Sequence, residues 1–150
     1  MAKNKVFLDS SILITAVLSQ SGGSFYILNT FRDNIDFEFQ TNDYVFDEIS
    51  EVLERKFSAS ENLKSKLFLL IGLTPVKILN DPSKSKTDTA AKVVNKKDAP
   101  ILASAIMYSD YLLTLDNDFL TDTIIKFAQK KNLIILKPKE FIEKFINQSR

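Results

Sequence analysis

Thr114 to Leu120, TLDNDFL, sets Asp116 and Asp118 directly after the apolar run Tyr111-Leu112-Leu113. Asp9 stands in the same relation to Val6-Phe7-Leu8, Glu48 lies within VFDEISEVLERKF, and Asp98 precedes Ala99-Pro100-Ile101. Singly, each acid has an ordinary structural reading. Asp9 and Asp98 suit helix N-caps, Asp116 an Asx turn, Asp118 the cap of the helix that follows, and Glu48 a solvated helix flank. As a set they read differently. Carboxylates brought within a few ångströms repel one another and resist desolvation, so such a group makes physical sense mainly around a divalent cation. Ligation by oxygen alone selects a hard ion, Mg2+ or Mn2+.

The composition leaves few other chemistries. The 150 residues include no histidine and no cysteine. That excludes a Ser-His-Asp triad, an imidazole base, a thiolate nucleophile and a disulfide framework, and fits a reducing cytoplasm. Zinc would have to be held by carboxylates only, which is unusual. With 45% hydrophobic and 26% charged residues, the chain reads as one domain, residues 1–150, around one core. Three glycines and four prolines argue against long linkers. MAKNK followed by Val6-Phe7-Leu8 and Asp9 is too short for a secretory leader, and no apolar run approaches the ~20 residues that span a bilayer. The expectation is a cytoplasmic protein without membrane contact.

The acids need elements to position them, and periodicity supplies these. Lys5–Leu8 reads as a buried strand, with Ile12, Leu13, Ala16 and Val17 on one face of the next helix. Phe25, Leu28 and Phe31 resume a helical period after Gly22-Gly23-Ser24, and Phe37, Phe39 and Thr41 alternate as a second strand. From a cap at Asn42-Asp43, Val45, Ile49, Val52, Leu53 and Lys56 trace a helical stripe. Glu48 falls about 60° from Val45, at the edge of that stripe, while Asp47 and Glu54 point away and Glu51 can pair with Arg55. Ser58 to Glu61 forms a capping box for a helix carrying Leu63, Leu67, Leu70 and Ile71 and ending at Gly72. Val76–Leu79 is a third strand. Asn80 to Lys97 is a polar, lysine-rich loop with a short helix capped by Thr87. A helix from Asp98 to Met107 or Tyr108, a strand at Tyr111–Leu115, a helix around Ile124–Lys131, a strand at Leu133–Leu136 and a helix from Pro138 complete the chain. Strands alternating with helices define an α/β sandwich with a mostly parallel sheet, whose ligands gather beyond the carboxyl ends of the strands. Strand ends and helix starts share that face, so Asp9, Glu48, Asp98 and Asp116 can converge there.

The stretches VFLDSSIL, VFDEISEVLERKF, KDAPILASAIMYSDYLLTLDND and KPKEF, in this order, resemble the PIN-domain ribonucleases over nearly the whole chain. The block from Asp98 to Asp118 is the most specific part. The resemblance implies a three-layer α/β/α domain with strand order 3-2-1-4-5 and metal-dependent cleavage of RNA. It assigns Asp9, Glu48, Asp98 and Asp116 as the catalytic and metal-binding acids, Asp118 as an accessory ligand, and Ser11 and Thr114 as supporting hydroxyls. DSS replaces the commoner Asp-Thr-Asn and TLD the frequent Thr-Gly-Asp, neither of which removes an acid.

Three functional readings follow: an endoribonuclease dependent on Mg2+ or Mn2+, the toxin of a toxin–antitoxin pair with a small protein partner, and a binding module that has lost the chemistry. A homodimer is expected by analogy with the family. A haloacid-type hydrolase needs Asp-x-Asp after its first strand, where this chain has Ser10 and Ser11; a receiver domain needs an acceptor at the third strand, where Asp81 stands. Lys84, Lys86, Lys92, Lys96 and Lys97 precede Asp98 and are expected to hold RNA phosphates, the alternative being a solvated lysine-rich loop. The net charge of +1 hides this: setting the five acids aside leaves 14 acidic against 20 basic side chains.

Overall fold

The computed structural model describes residues 3–56 and 61–146. In order these form β1 (Asn4–Leu8), α1 (Ser10–Leu18), α2 (Gly23–Phe31), β2 (Phe37–Asn42), α3 (Asp43–Lys56), α4 (Glu61–Leu73), β3 (Lys77–Leu79), α5 (Lys84–Ala90), α6 (Ala99–Tyr108), β4 (Tyr111–Leu113), a 3-10 turn (Asn117–Phe119), α7 (Asp122–Lys130), β5 (Ile134–Leu136) and α8 (Pro138–Phe145). The capping box expected at Ser58 to Glu61 falls largely outside the described residues.

All four strand pairings are parallel, as the alternation of strands and helices predicts, and the order is β3-β2-β1-β4-β5, as the resemblance to PIN domains implies. β1 is central. Its Val6, Phe7 and Leu8 are wholly buried, which is why the strand reads as a continuous apolar run rather than an alternating one. Fully burying a side chain such as Phe7 or Leu8 contributes about 1.5–3 kcal/mol. Phe31, Phe37, Phe141 and Phe145 pack as an aromatic cluster with ring centroids 4.6–5.9 Å apart, tying α2 and β2 to α8. No single helix is long and apolar enough to cross a membrane among the described residues.

Local chemistry sets the boundaries. Asn42 caps α3 by accepting from the Val45 N–H at 2.9 Å, and its amide donates to the Ser104 hydroxyl at 2.8 Å, fixing α3 to α6. Along α3, Val45, Ile49 and Leu53 are buried, Val52 is half-buried and Lys56 is exposed. The ion pair of this helix is Glu54 with Lys64 of α4, at 2.7 Å, rather than Glu51 with Arg55. α4 runs one residue past Gly72 and closes where the Thr74 N–H reaches Leu70 O at 2.9 Å. The cap of α5 is Ser83, whose hydroxyl accepts from Lys86 N–H; Thr87 lies inside the helix and bonds back to Ser83 O. α7 is capped by Thr121, not Asp118, and ends with Asn132 at φ 64°, the left-handed position of a Schellman closure in which Leu133 N–H bonds Ala128 O. β4 ends at Leu113 rather than Leu115, because the Leu115 N–H is taken by the Ser11 hydroxyl at 3.0 Å instead of a strand neighbour.

Candidate metal centre

β1 delivers Asp9 to its carboxyl end, and the adjacent β4 delivers Thr114 and Asp116 to the same end in parallel register. Asp9 is only 2% exposed yet satisfied on both oxygens. One accepts from the Ser10 N–H at 2.8 Å and faces the Ser10 hydroxyl; the other accepts from the Ser11 hydroxyl at 2.9 Å and the Thr114 hydroxyl at 2.7 Å. Ser11 and Thr114 in turn accept from the backbone N–H groups of Leu115 and Asp116. The two hydroxyls therefore relay the backbone dipoles of the β4 loop onto Asp9. Burial pushes the Asp9 carboxyl up; the bonds from Thr114, Ser11 and the Ser10 N–H oppose this, and nearby Glu48 adds to it.

Ser10, the third hydroxyl of this group, also donates to Glu48 on α3. Glu48 is half-buried, at the margin of the core as its angular position predicts. Ser11 and Thr114, expected as supporting hydroxyls, both donate to Asp9; the bridging position of Ser10 was not legible, because nothing local in the sequence says that α3 crosses the start of α1.

Asp98 occupies the N-cap position of α6 but makes no side-chain cap bond there. Asn95 holds it instead, donating through its amide to Asp98 at 2.8 Å and accepting from the Asp98 N–H at 3.0 Å. The carboxylate is thereby free of the capping role that its sequence position suggests. Asp98 is 6% exposed, and burial together with Asp116 pushes its carboxyl up to about 6, with smaller contributions from Asp9 and Asp118, against the Asn95 bond. Asp116 accepts from the Asp118 N–H at 2.9 Å and starts the 3-10 turn.

Asp98, Asp116 and Asp118 each offer a carboxylate oxygen within 4.8 Å of the other two. Oxygen ligands around Mg2+ at about 2.1 Å stand about 3–4 Å apart, so modest rotations bring these three to a common ion. A cation would also relieve the repulsion from Asp116 that adds to burial in holding Asp98 above its ordinary range. The donor set thus fits a hard divalent ion. Asp9 and Glu48 do not belong to this close trio but line the same cleft, of about 510 Å3, with Ser10, Ser11 and Asn95.

The basic residues divide. Lys97 lines the cleft, and Arg55 and Lys56 of α3 join it there. Neither α3 residue was expected at the site: the sequence put Lys56 on the helical stripe of α3 and paired Arg55 with Glu51. Lys86 lines a different cavity, between α5, α6 and α7, and Lys84, Lys92 and Lys96 are exposed without lining the cleft. Asp81 accepts from the Tyr44 N–H at 2.9 Å, fastening the loop after β3 to α3, and does not line the cleft.

A five-stranded parallel sheet in this order, with acids at the carboxyl ends of β1 and β4, is consistent with an α/β fold of the PIN type. Two solved structures share the fold. One is a chain of VapBC2 from Rickettsia felis, a structure bound to a DNA fragment from their promoter, at TM-score 0.62 and 19% identity over 89% of this chain and 98% of that one. The other is PAE2754 from Pyrobaculum aerophilum, at TM-score 0.64 and 12% identity over 94% of this chain and 88% of that one. No family model and no curated protein matches this chain.

Proposed function

We propose that this protein is an endoribonuclease dependent on Mg2+ or Mn2+ and acts as the toxin of a toxin–antitoxin pair. The observation that carries the reading is the convergence of Asp98, Asp116 and Asp118 to within 4.8 Å in a cleft also lined by Asp9 and Glu48. When bound there, a divalent cation supplies Lewis-acid polarisation of the phosphate and acidifies water. The residues of the chain do the rest. Asp98, Asp116 and Asp118 would hold the ion, with Asp9 completing the negative field from behind. Glu48, oriented by Ser10, takes a proton from the attacking water as its oxygen bonds to phosphorus and the bond to the 3′-oxygen breaks. The 3′-oxygen leaves with a solvent proton, giving a 3′-hydroxyl and a 5′-phosphate. Arg55, Lys56 and Lys97 offset the acids and draw the RNA backbone to the cleft.

The fold shared with a chain of VapBC2 supports a toxin role, in which a small protein partner covers the cleft. The chemical test is a mixed RNA pool incubated with Mg2+, Mn2+ or EDTA, followed by mapping of the ends. Metal-dependent cuts bearing 5′-phosphates, lost in Asp98→Asn, are expected; equal cleavage in EDTA or by the mutant sinks the reading. Growth arrest on expression alone, abolished by Asp98→Asn, tests the toxin role.

A further inference from the structure

A second cavity, of about 590 Å3, lies between α1, α2 and the start of α8. Leu115, Pro138 and Ile142 give it an apolar floor, and Lys137 and Lys139 stand at its rim. Neither lysine forms an ion pair among the described residues. Glu143 also lines it, so its charged groups are two cations and one anion. The cavity stays open where α2 begins: a Cβ at Gly23 would sit 3.3 Å from Pro138 Cβ and 3.7 Å from Ile142 Cδ1.

Its position relative to the acidic cleft is set by consecutive residues. Leu115 lines this cavity and Asp116 the cleft; Thr15 and Ser19 line this cavity, while Ile14 and Leu18 line the cleft. Helix α1 is thus a ridge between the two, and the Thr114–Asp116 loop passes from one to the other. Thr15 and Ser24 hydroxyls bond each other at 2.8 Å, and Thr15 donates to Ser11 O. Ser19, exposed on the rim, shares a hydroxyl–hydroxyl bond of 3.3 Å with Ser21.

Resting on the ribonuclease reading, we infer that this cavity binds one unpaired nucleotide of the RNA next to the scissile phosphate. Its base would lie on Leu115, Pro138 and Ile142, with its phosphate at Lys137 and Lys139. The volume lies in the range of small-molecule sites. An apolar floor with a cationic rim matches the two parts of a nucleotide, and the Thr114–Asp116 loop borders both the acidic cleft and this cavity.

The test uses an oligoribonucleotide that the protein cuts, with abasic sites introduced singly around the cleavage position. One abasic position should lower kcat/KM about 10-fold in the wild type. Ser19→Trp, at an exposed position on the rim, should lower kcat/KM on the intact oligonucleotide by a similar factor, and on that abasic substrate should add almost nothing. Lys137→Ala with Lys139→Ala should raise KM with kcat retained. Independent, fully additive losses, or no loss at any abasic position, overturn the proposal, as does unchanged cleavage by Ser19→Trp, which would leave the cavity to a protein side chain. Should no RNA be cut, the ribonuclease reading fails first. Titration with 5′-mononucleotides followed by NMR then judges the cavity alone: shifts at Leu115 and Ile142 that vanish in Ser19→Trp support it, and their absence overturns it.

Discussion

The Ser10 hydroxyl donates to Glu48, 38 residues away in sequence, while the Ser10 N–H donates to Asp9 at 2.8 Å. One residue thus fastens α3 to the end of β1 and sets the relation between two acids that would otherwise repel. Ser10→Ala removes both hydroxyl interactions and leaves the backbone one. The expected loss of stability is about 0.5–1.5 kcal/mol, the net worth of a hydrogen bond. Cleavage should fall by more than this predicts, because Glu48 loses its orientation, and Ser10→Thr should restore it. Chemical denaturation beside single-turnover kinetics separates the two; parallel losses in both would reduce Ser10 to a structural role.

Asp98→Asn and Asp116→Asn should each lower cleavage by about 10²–10⁴-fold, the loss of several kcal/mol of charge stabilisation. Asp98→Asn should at the same time raise the melting temperature of the metal-free protein near pH 7.5, since the native state no longer buries that charge beside Asp116. Calorimetry in EDTA checks this. A fall in melting temperature would mean that the Asn95–Asp98 bond outweighs the repulsion.

The raised carboxyl of Asp98 fixes the sign of a pH effect. Between its ordinary value of 3.8 and about 6, the native state binds a proton that the unfolded chain has released. The stabilisation from this group is therefore full below pH 3.8 and is lost as pH rises through about 6. Asp9, also raised, acts in the same direction. Metal-free protein should thus melt higher at about pH 5.5 than at about pH 7.5, and Asp98→Asn should flatten that difference. Added Mn2+ should stabilise more at the higher pH, because ion and proton compete for the same oxygens.

Arg55, Lys56 and Lys97 share the acidic cleft, whereas Lys84 and Lys92 do not line it. Arg55→Ala with Lys97→Ala should flatten the dependence of RNA binding on salt, the slope falling by about 0.7 for each phosphate that the protein ceases to neutralise. Lys84→Ala with Lys92→Ala should leave that slope unaltered. Fluorescence anisotropy across a salt series reads both. The opposite pattern would move the RNA path to α5.

Several elements were determined by local sequence. The apolar run Val6-Phe7-Leu8 before Asp9 reads as a doubly covered strand, and alternation of strands with helices from β1 to β5 favours parallel pairing with carboxyl ends on one side. That puts Asp9 and Asp116, each following its strand, at the same end of the sheet; their adjacency rests on β1 pairing with β4, an order that only the resemblance to PIN domains implied. Glu48 was readable from the helical wheel, because its angle to Val45 is intrinsic to α3.

Other features depended on which elements meet. Sequence position makes Asp98 a helix cap, yet Asn95 displaces it from that role, and a bond between two polar side chains three residues apart is one option among many in a loop. Ser83 rather than Thr87 caps α5 for a similar reason: both hydroxyls suit the start of a helix, and the one that leads it is set by how the chain leaves β3. Arg55 and Lys56 come to the acids, and Glu48 to Ser10, only because α3 lies across α1, and Lys86 turns to another cavity because α5 packs on α6. Charge and periodicity act within an element and are written in it; the crossing of one helix over another is decided by the packing of the whole core, and so are the neighbours that the crossing creates.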